Sequence, residues 1–157
     1  MRLITFLLAT VLFAPETLRA QLSVVVDNKE RPVTGQDLAA YRRDTATMVF
    51  HGSAPLKYEG YLLSDVLGTA GVRSDSLRST ALSMRLVIEA GDGYRIVLAL
   101  SDLDPALGAR RILLADRVDG HSLPPDEAPW RLIVVGDQRP SRSARQVVRI
   151  RVLSEPR

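Results

Sequence analysis

Glycine and proline punctuate nearly every junction of this chain, at intervals too short to leave room for a second domain. Glycine accepts backbone angles closed to other residues, and proline withholds a backbone donor, so each marks a turn or an element end. Between these marks the apolar pattern predicts short elements. Leu22 to Val26 reads as a strand ending in an Asp27-Asn28 turn. Gln36 to Tyr41 reads as a short helix with Thr34 as its cap. Thr47 to His51 and Leu56 to Tyr58 flank Gly52-Ser53-Ala54-Pro55 as a β-hairpin. Leu62, Leu63, Val66 and Leu67 have helical spacing, with Gly68 and Gly71 to end the helix. Met84 to Ala90 and Tyr94 to Leu98 form a second hairpin around Gly91-Asp92-Gly93. Ser101 is expected to cap a short helix or turn. Ile112 to Ala115, Leu132 to Val135 and Val147 to Leu153 are further strands. No repeat or low-complexity segment appears. The expected architecture is one strand-rich α+β domain with two or three short helices, spanning residues 21–157.

Residues 1–20 read as an export signal, with Arg2 in a positive n-region, Leu3 to Ala14 apolar, and Leu18-Arg19-Ala20 as cleavage site. The apolar run is too short to cross a bilayer core of about 30 Å. No membrane span is expected after cleavage, and the expected location is periplasmic or secreted. Without residues 1–20, which carry Arg2, Arg19 and Glu16, the net charge falls from +3 to +2. That balance alone does not point to nucleic acid. With 5% aromatic residues and no aromatics interleaved among the basic ones, a base-stacking platform is not expected. The chain has no cysteine, which excludes disulfides, zinc–thiolate sites and thiol nucleophiles. A 46% apolar content supplies a core without such staples.

Familiar catalytic signatures are absent: there is no Gly-x-Ser-x-Gly elbow, phosphate loop or dinucleotide fingerprint. Asp102 with Asp104, and Asp116 with Asp119, pair carboxylates at turn positions, which is commonplace for turns. His51 and His121 lie far apart in sequence, and His121 reads as a solvated hairpin residue after Asp119-Gly120.

A series of words in the second half carries more information. They are Asp92-Gly93-Tyr94, Leu113-Leu114-Ala115-Asp116, Asp119-Gly120, Pro129-Trp130-Arg131-Leu132-Ile133-Val134, and an arginine-dense stretch from Arg139 to Val152. Upstream, Tyr58-Glu59-Gly60, Leu63-Ser64-Asp65-Val66-Leu67 and Ala70-Gly71-Val72 follow in order. Together these resemble the molybdopterin-binding domain of the sulfite oxidase family, in a short stand-alone form, over roughly Thr47 to Val152.

The resemblance implies a pterin-cofactor fold and roles for particular residues. Tyr94 lies where the family places a tyrosine beside the oxo-molybdenum centre, with Tyr94 and Asp92 at the rim of the cleft; Tyr94 also reads as a half-buried strand tyrosine. Arg142 and Arg145 match the arginine and lysine of a family loop that contacts substrate and pterin. With Arg139 they form a candidate grip for phosphate or sulfite. The alternation of Arg145, Arg149 and Arg151 with Val148, Ile150 and Val152 also suits a strand with one solvated arginine face. The family's molybdenum-ligand cysteine falls at or next to His51, and the loop that follows it in the enzymes is nearly absent. Imidazole matches thiolate poorly in softness, so His51 reads either as a cofactor contact or as a hydrogen-bonded strand-end histidine.

Two functions follow as expectations. One is an exported protein that binds molybdopterin or another anionic small molecule in the family cleft and is associated with redox chemistry. The alternative is a cofactor-free interaction module that keeps the fold and engages a periplasmic partner protein.

Overall fold

The computed structural model describes residues 21–154 apart from 51 and 53. The expected export signal and His51 therefore lie outside the described residues. Strand β1 (Ser23–Val26) turns back into β2 (Lys29–Pro32) through Asp27 and Asn28, both at positive φ (48° and 62°). Two consecutive left-handed residues match the twist of a tight hairpin, and short polar side chains tolerate that region best. Helix α1 (Gly35–Leu38) begins as expected at Thr34. The Thr34 hydroxyl accepts the Asp37 N–H at 3.2 Å, and the Asp37 carboxylate accepts the Thr34 N–H at 2.8 Å. This helix is shorter than the sequence suggests, and its one buried residue is Leu38.

Strands β3 (Asp44–Met48) and β4 (Leu56–Leu62) form the expected hairpin, with Ala46 opposite Tyr58. β3 starts three residues before Thr47 because Asp44 and Thr45 pair with Gly60 and Glu59 despite their polarity. Helix α2 (Leu63–Thr69) follows directly and buries Leu63, Val66 and Leu67 of the spacing read from the sequence, whereas Leu62 ends β4 instead, paired with Leu113. Next come β5 (Arg85–Ala90), β6 (Arg95–Ala99), β7 (Ile112–Val118), β8 (His121–Ser122), β9 (Arg131–Val134) and β10 (Val147–Leu153). A 3-10 turn covers Leu100–Leu103. It is preceded by Ala99 rather than capped by Ser101, and the Asp102 carboxylate accepts the Ala99 N–H at 3.3 Å.

The strands make two sheets. In the first the order is β2-β1-β10-β5-β6, with β1 and β10 parallel and the other pairs antiparallel. In the second it is β3-β4-β7-β8, with β9 also on β7. The main core lies between the sheets and under α2, built from residues such as Val24, Leu67, Ile88, Ile112, Leu114 and Ile150. Alternation along β7 sends Leu113 and Ala115 the other way, into a smaller cluster with Met48, Tyr58 and Ile133. The second sheet is thus covered on both faces, which explains why β9 is buried throughout. In β10 the register slips between Val147 and Arg149, so Val147 and Ile150 both point inward although three residues apart. Among the described residues, no helix is long and apolar enough to cross a membrane.

Candidate functional site

The hairpin joining β5 to β6 lies against the 139–146 loop. The Asp92 carboxylate accepts the Tyr94 N–H at 2.9 Å, a turn closed by its own side chain. Gly91 N–H donates to the Gln146 carbonyl at 2.8 Å. The Tyr94 hydroxyl donates to the Ser141 carbonyl at 2.7 Å while the residue stays 46% exposed. Tyr94 and Asp92 are therefore brought next to the arginine loop, and the phenol proton is already used to hold that loop.

The arginines themselves diverge. Arg142 makes a two-point ion pair with Asp137, its Nε donating to Oδ2 at 2.8 Å. That contact lifts the Arg142 guanidinium above its ordinary value, mainly through the hydrogen bonds to Asp137. Arg110 also approaches Asp137, at 3.6 Å. Arg145 instead reaches Asp126 at 3.2 Å, in an exposed pair. Asp137 follows β9 and Asp126 precedes it, so the two guanidinium groups serve opposite ends of that strand. Arg139 is exposed and, among the described residues, has neither hydrogen bond nor ion pair.

A second cluster was not singled out from the sequence. Arg131, the first residue of β9, has a side chain only 8% exposed and pairs with Glu127 four residues earlier. The Tyr58 hydroxyl donates to the same carboxylate at 3.2 Å. The Arg131 guanidinium lies 4.3 Å from the ring centroid of Phe50 and 5.2 Å from that of Tyr58. Its Nε is buried without a hydrogen-bond partner. Burial pushes the Arg131 guanidinium below its ordinary value and the Tyr58 phenol above its own. Phe50 also packs against the smaller core cluster that contains Tyr58, so the charged pair lies against an apolar, aromatic surface. An arginine heading the run Leu132-Ile133-Val134 was the available signal, since a charge in a buried strand requires a partner.

The remaining acids act structurally. Buried Asp104 accepts the Leu77 and Ala106 N–H groups at 2.7 and 2.8 Å. Asp116 pairs with Arg43, and Asp119 accepts the Lys57 N–H at 2.9 Å. His121 is exposed in β8 after the Asp119-Gly120 turn, as the sequence suggests.

Two packed sheets carry an arginine loop beside a strand-end hairpin, and the polar groups there are turned onto one another. The family model of the oxidoreductase molybdopterin-binding domain matches residues 14–157, and the chain belongs to that family. Its fold is similar to the sulfane dehydrogenase SoxCD from Paracoccus pantotrophus, with a TM-score of 0.64 at 19% identity. That match covers 86% of this chain and 38% of the SoxCD chain, so the chain spans well under half of that relative. No curated protein sequence matches it.

The residues present do not fit a molybdenum centre of the family type. The sequence contains no thiolate to complete the coordination. Among the described residues, no group of three or more histidine, aspartate or glutamate side chains is placed to hold a metal. Arg142 and Arg145, the guanidinium groups matched to the pterin loop, are each engaged by an aspartate.

Proposed function

We propose that this protein is a cofactor-free member of the molybdopterin-binding family, an exported module that uses the fold for binding and carries out no redox turnover by itself. The observation that carries this reading is the internal neutralisation of the arginine loop. A phosphate arriving at Arg142 must displace Asp137, whose charge-assisted, two-point contact is the strongest kind of side-chain hydrogen bonding. At the neighbouring cluster, Glu127 plays the same part for Arg131. The absence of cysteine agrees with it, because no other residue supplies a soft anionic ligand at the strand end. Residues 1–20 direct the chain to the periplasm or the medium, and the partner is a protein met there.

Binding of a pterin or other anion is the competing reading. It is favoured by one observation, the exposed and unpaired Arg139 at the head of the same loop.

The test is expression in a host that makes molybdenum cofactor, followed by elemental analysis, pterin extraction and N-terminal sequencing of the exported protein. The expected result is folded protein beginning at Gln21 with neither molybdenum nor pterin. Stoichiometric molybdenum and pterin would overturn the proposal; pterin without metal would establish the competing reading.

A further inference from the structure

At the opposite end of the second sheet from Phe50 and Arg131, two cavities of about 390 and 260 Å³ adjoin. They share Asp44, which opens β3, and Leu62, which closes β4, and so form one groove. The larger cavity lies within the size range of small-molecule sites. The groove does not involve the loop or hairpin that the family resemblance assigns to the cofactor.

Most charges in this groove are committed. Arg43 pairs with Asp116 and lies 5.0 Å from the centroid of the Tyr61 ring. Arg111 donates to Asp44 through Nε at 3.0 Å, and Arg110 faces Asp137. One cation and one anion on the wall of the larger cavity remain, Arg42 and Asp65. Among the described residues neither side chain has a hydrogen bond or ion pair, and Arg42 acts only as a nearby charge that helps to lower the Asp44 carboxyl. Asp65 is half-buried on α2; burial first, and then the Asp44 charge, raise its carboxyl above the ordinary value. A bound cation would offset both effects by favouring the ionised carboxylate. Beyond Leu62 the wall turns apolar, with Leu103 and Ile112 buried and Pro105 and Ala109 at the rim.

We propose that this groove binds a free amino acid with an aliphatic side chain, its ammonium group on Asp65, its carboxylate on Arg42 and its side chain against Leu62, Leu103 and Ile112. The residual charges select a zwitterion. A phosphate would meet Asp65 and Asp44, and a simple diamine would bring a second positive charge against Arg42. A residue inside a peptide lacks both terminal charges.

The probe is L-leucine, titrated into the ¹⁵N-labelled protein while backbone amide shifts are followed. Saturable shifts are expected at Asp44, Asp65 and Ala109, with the Tyr94 and Arg142 amides unmoved. N-acetyl-L-leucine lacks the ammonium charge and L-leucinamide lacks the carboxylate, and each should bind at least about tenfold more weakly, the loss expected for one charge-assisted contact. Asp65→Asn and Arg42→Gln should weaken leucine by a similar factor; Arg42 is exposed and Asp65→Asn keeps the side-chain shape, so both should leave the fold intact. Absence of saturable shifts overturns the proposal. So does binding of either blocked analogue as strong as that of leucine, or leucine affinity that survives both substitutions. The readout uses no metal or pterin, so its result stands apart from that of the cofactor analysis.

Discussion

Arg142 and Asp137, five positions apart, face each other in a two-point ion pair, with Asp137 also 3.6 Å from Arg110. One aspartate thus restrains two arginines from different parts of the chain. Asp137→Asn keeps the shape and removes the charge. Because Arg142 is partly exposed, the stability loss should be small, about 0.2–1 kcal/mol by urea denaturation. The larger effect should be on anions. Phosphate, weak or undetectable with the parent protein, should bind Asp137→Asn measurably by equilibrium dialysis and be displaced by salt. Unchanged phosphate binding would mean that the aspartate is not what silences this loop.

Arg131 and Glu127 make the opposite kind of pair, nearly buried on both sides. Removing one member leaves the other charged and desolvated, so Glu127→Ala should cost about 3–5 kcal/mol. Replacing both residues with apolar ones, Glu127→Leu with Arg131→Met, should recover much of that loss, because the orphaned Arg131 Nε also disappears. Chemical denaturation of the two single variants and the double variant measures the coupling. A double variant as unstable as the worse single one would show that the pair organises the strand end beyond its own charges.

Where local chemistry decides, the fold was legible in the sequence. Asp27-Asn28 and Asp119-Gly120 both adopt the left-handed turns their residue types favour, and Thr34 caps its helix with Asp37 as reciprocal partner. Strand β10 coincides with the run Val147 to Leu153. Pairing decided the rest. β2, Lys-Glu-Arg-Pro with all four residues exposed, carries no apolar signal and forms because the preceding turn folds it onto β1. β3 moved toward Asp44 for the same reason. The candidate site was legible as a neighbourhood: Tyr94, Asp92 and the arginine loop do meet. The identity of each arginine's partner was not, since Asp137, Asp126 and Glu127 look in sequence like ordinary loop acids. The groove escaped too, because Arg42, just before β3, and Asp65, on α2, line one cavity only in the folded chain.

Gly60 shows why one of the family-like words contains a glycine. It sits where the β4–β7 register shifts, and a Cβ there would run into the Leu114 carbonyl oxygen and lie 2.6 Å from Ala115 Cα. Both obstacles are backbone of a buried strand and have no room to yield. Gly60→Ala should therefore cost at least about 3 kcal/mol or prevent folding, at the severe end of single substitutions. Gly35→Ala, with open space around the added methyl, is the control and should change stability by less than about 1 kcal/mol. Thermal unfolding of both variants checks the contrast; equal tolerance would mean that β4 and β7 can separate locally at no great cost.

Asp44 and Asp65 should give opposite signatures in acid. The Arg111 hydrogen bonds hold the Asp44 carboxyl below the ordinary 3.8, whereas burial and then the Asp44 charge hold Asp65 above it. The folded state binds Asp44's proton more weakly than the unfolded chain does. Its contribution to stability is therefore present above pH 3.8 and is lost as pH falls through the depressed folded value. For Asp65 the folded state holds the proton more tightly, so ionisation is destabilising. That penalty is absent below the unfolded value and grows as pH rises from 3.8 through the raised folded value. Asp65→Asn should accordingly stabilise the protein at pH 7 while changing little at pH 3. Asp44→Asn should destabilise it at pH 7, and that deficit should shrink as pH falls below 3.8. Urea denaturation midpoints of the two variants and the parent between pH 3 and pH 7 decide this. Two difference curves of the same sign would show that Asp65 has a partner in solution and that the groove holds no unpaired anion.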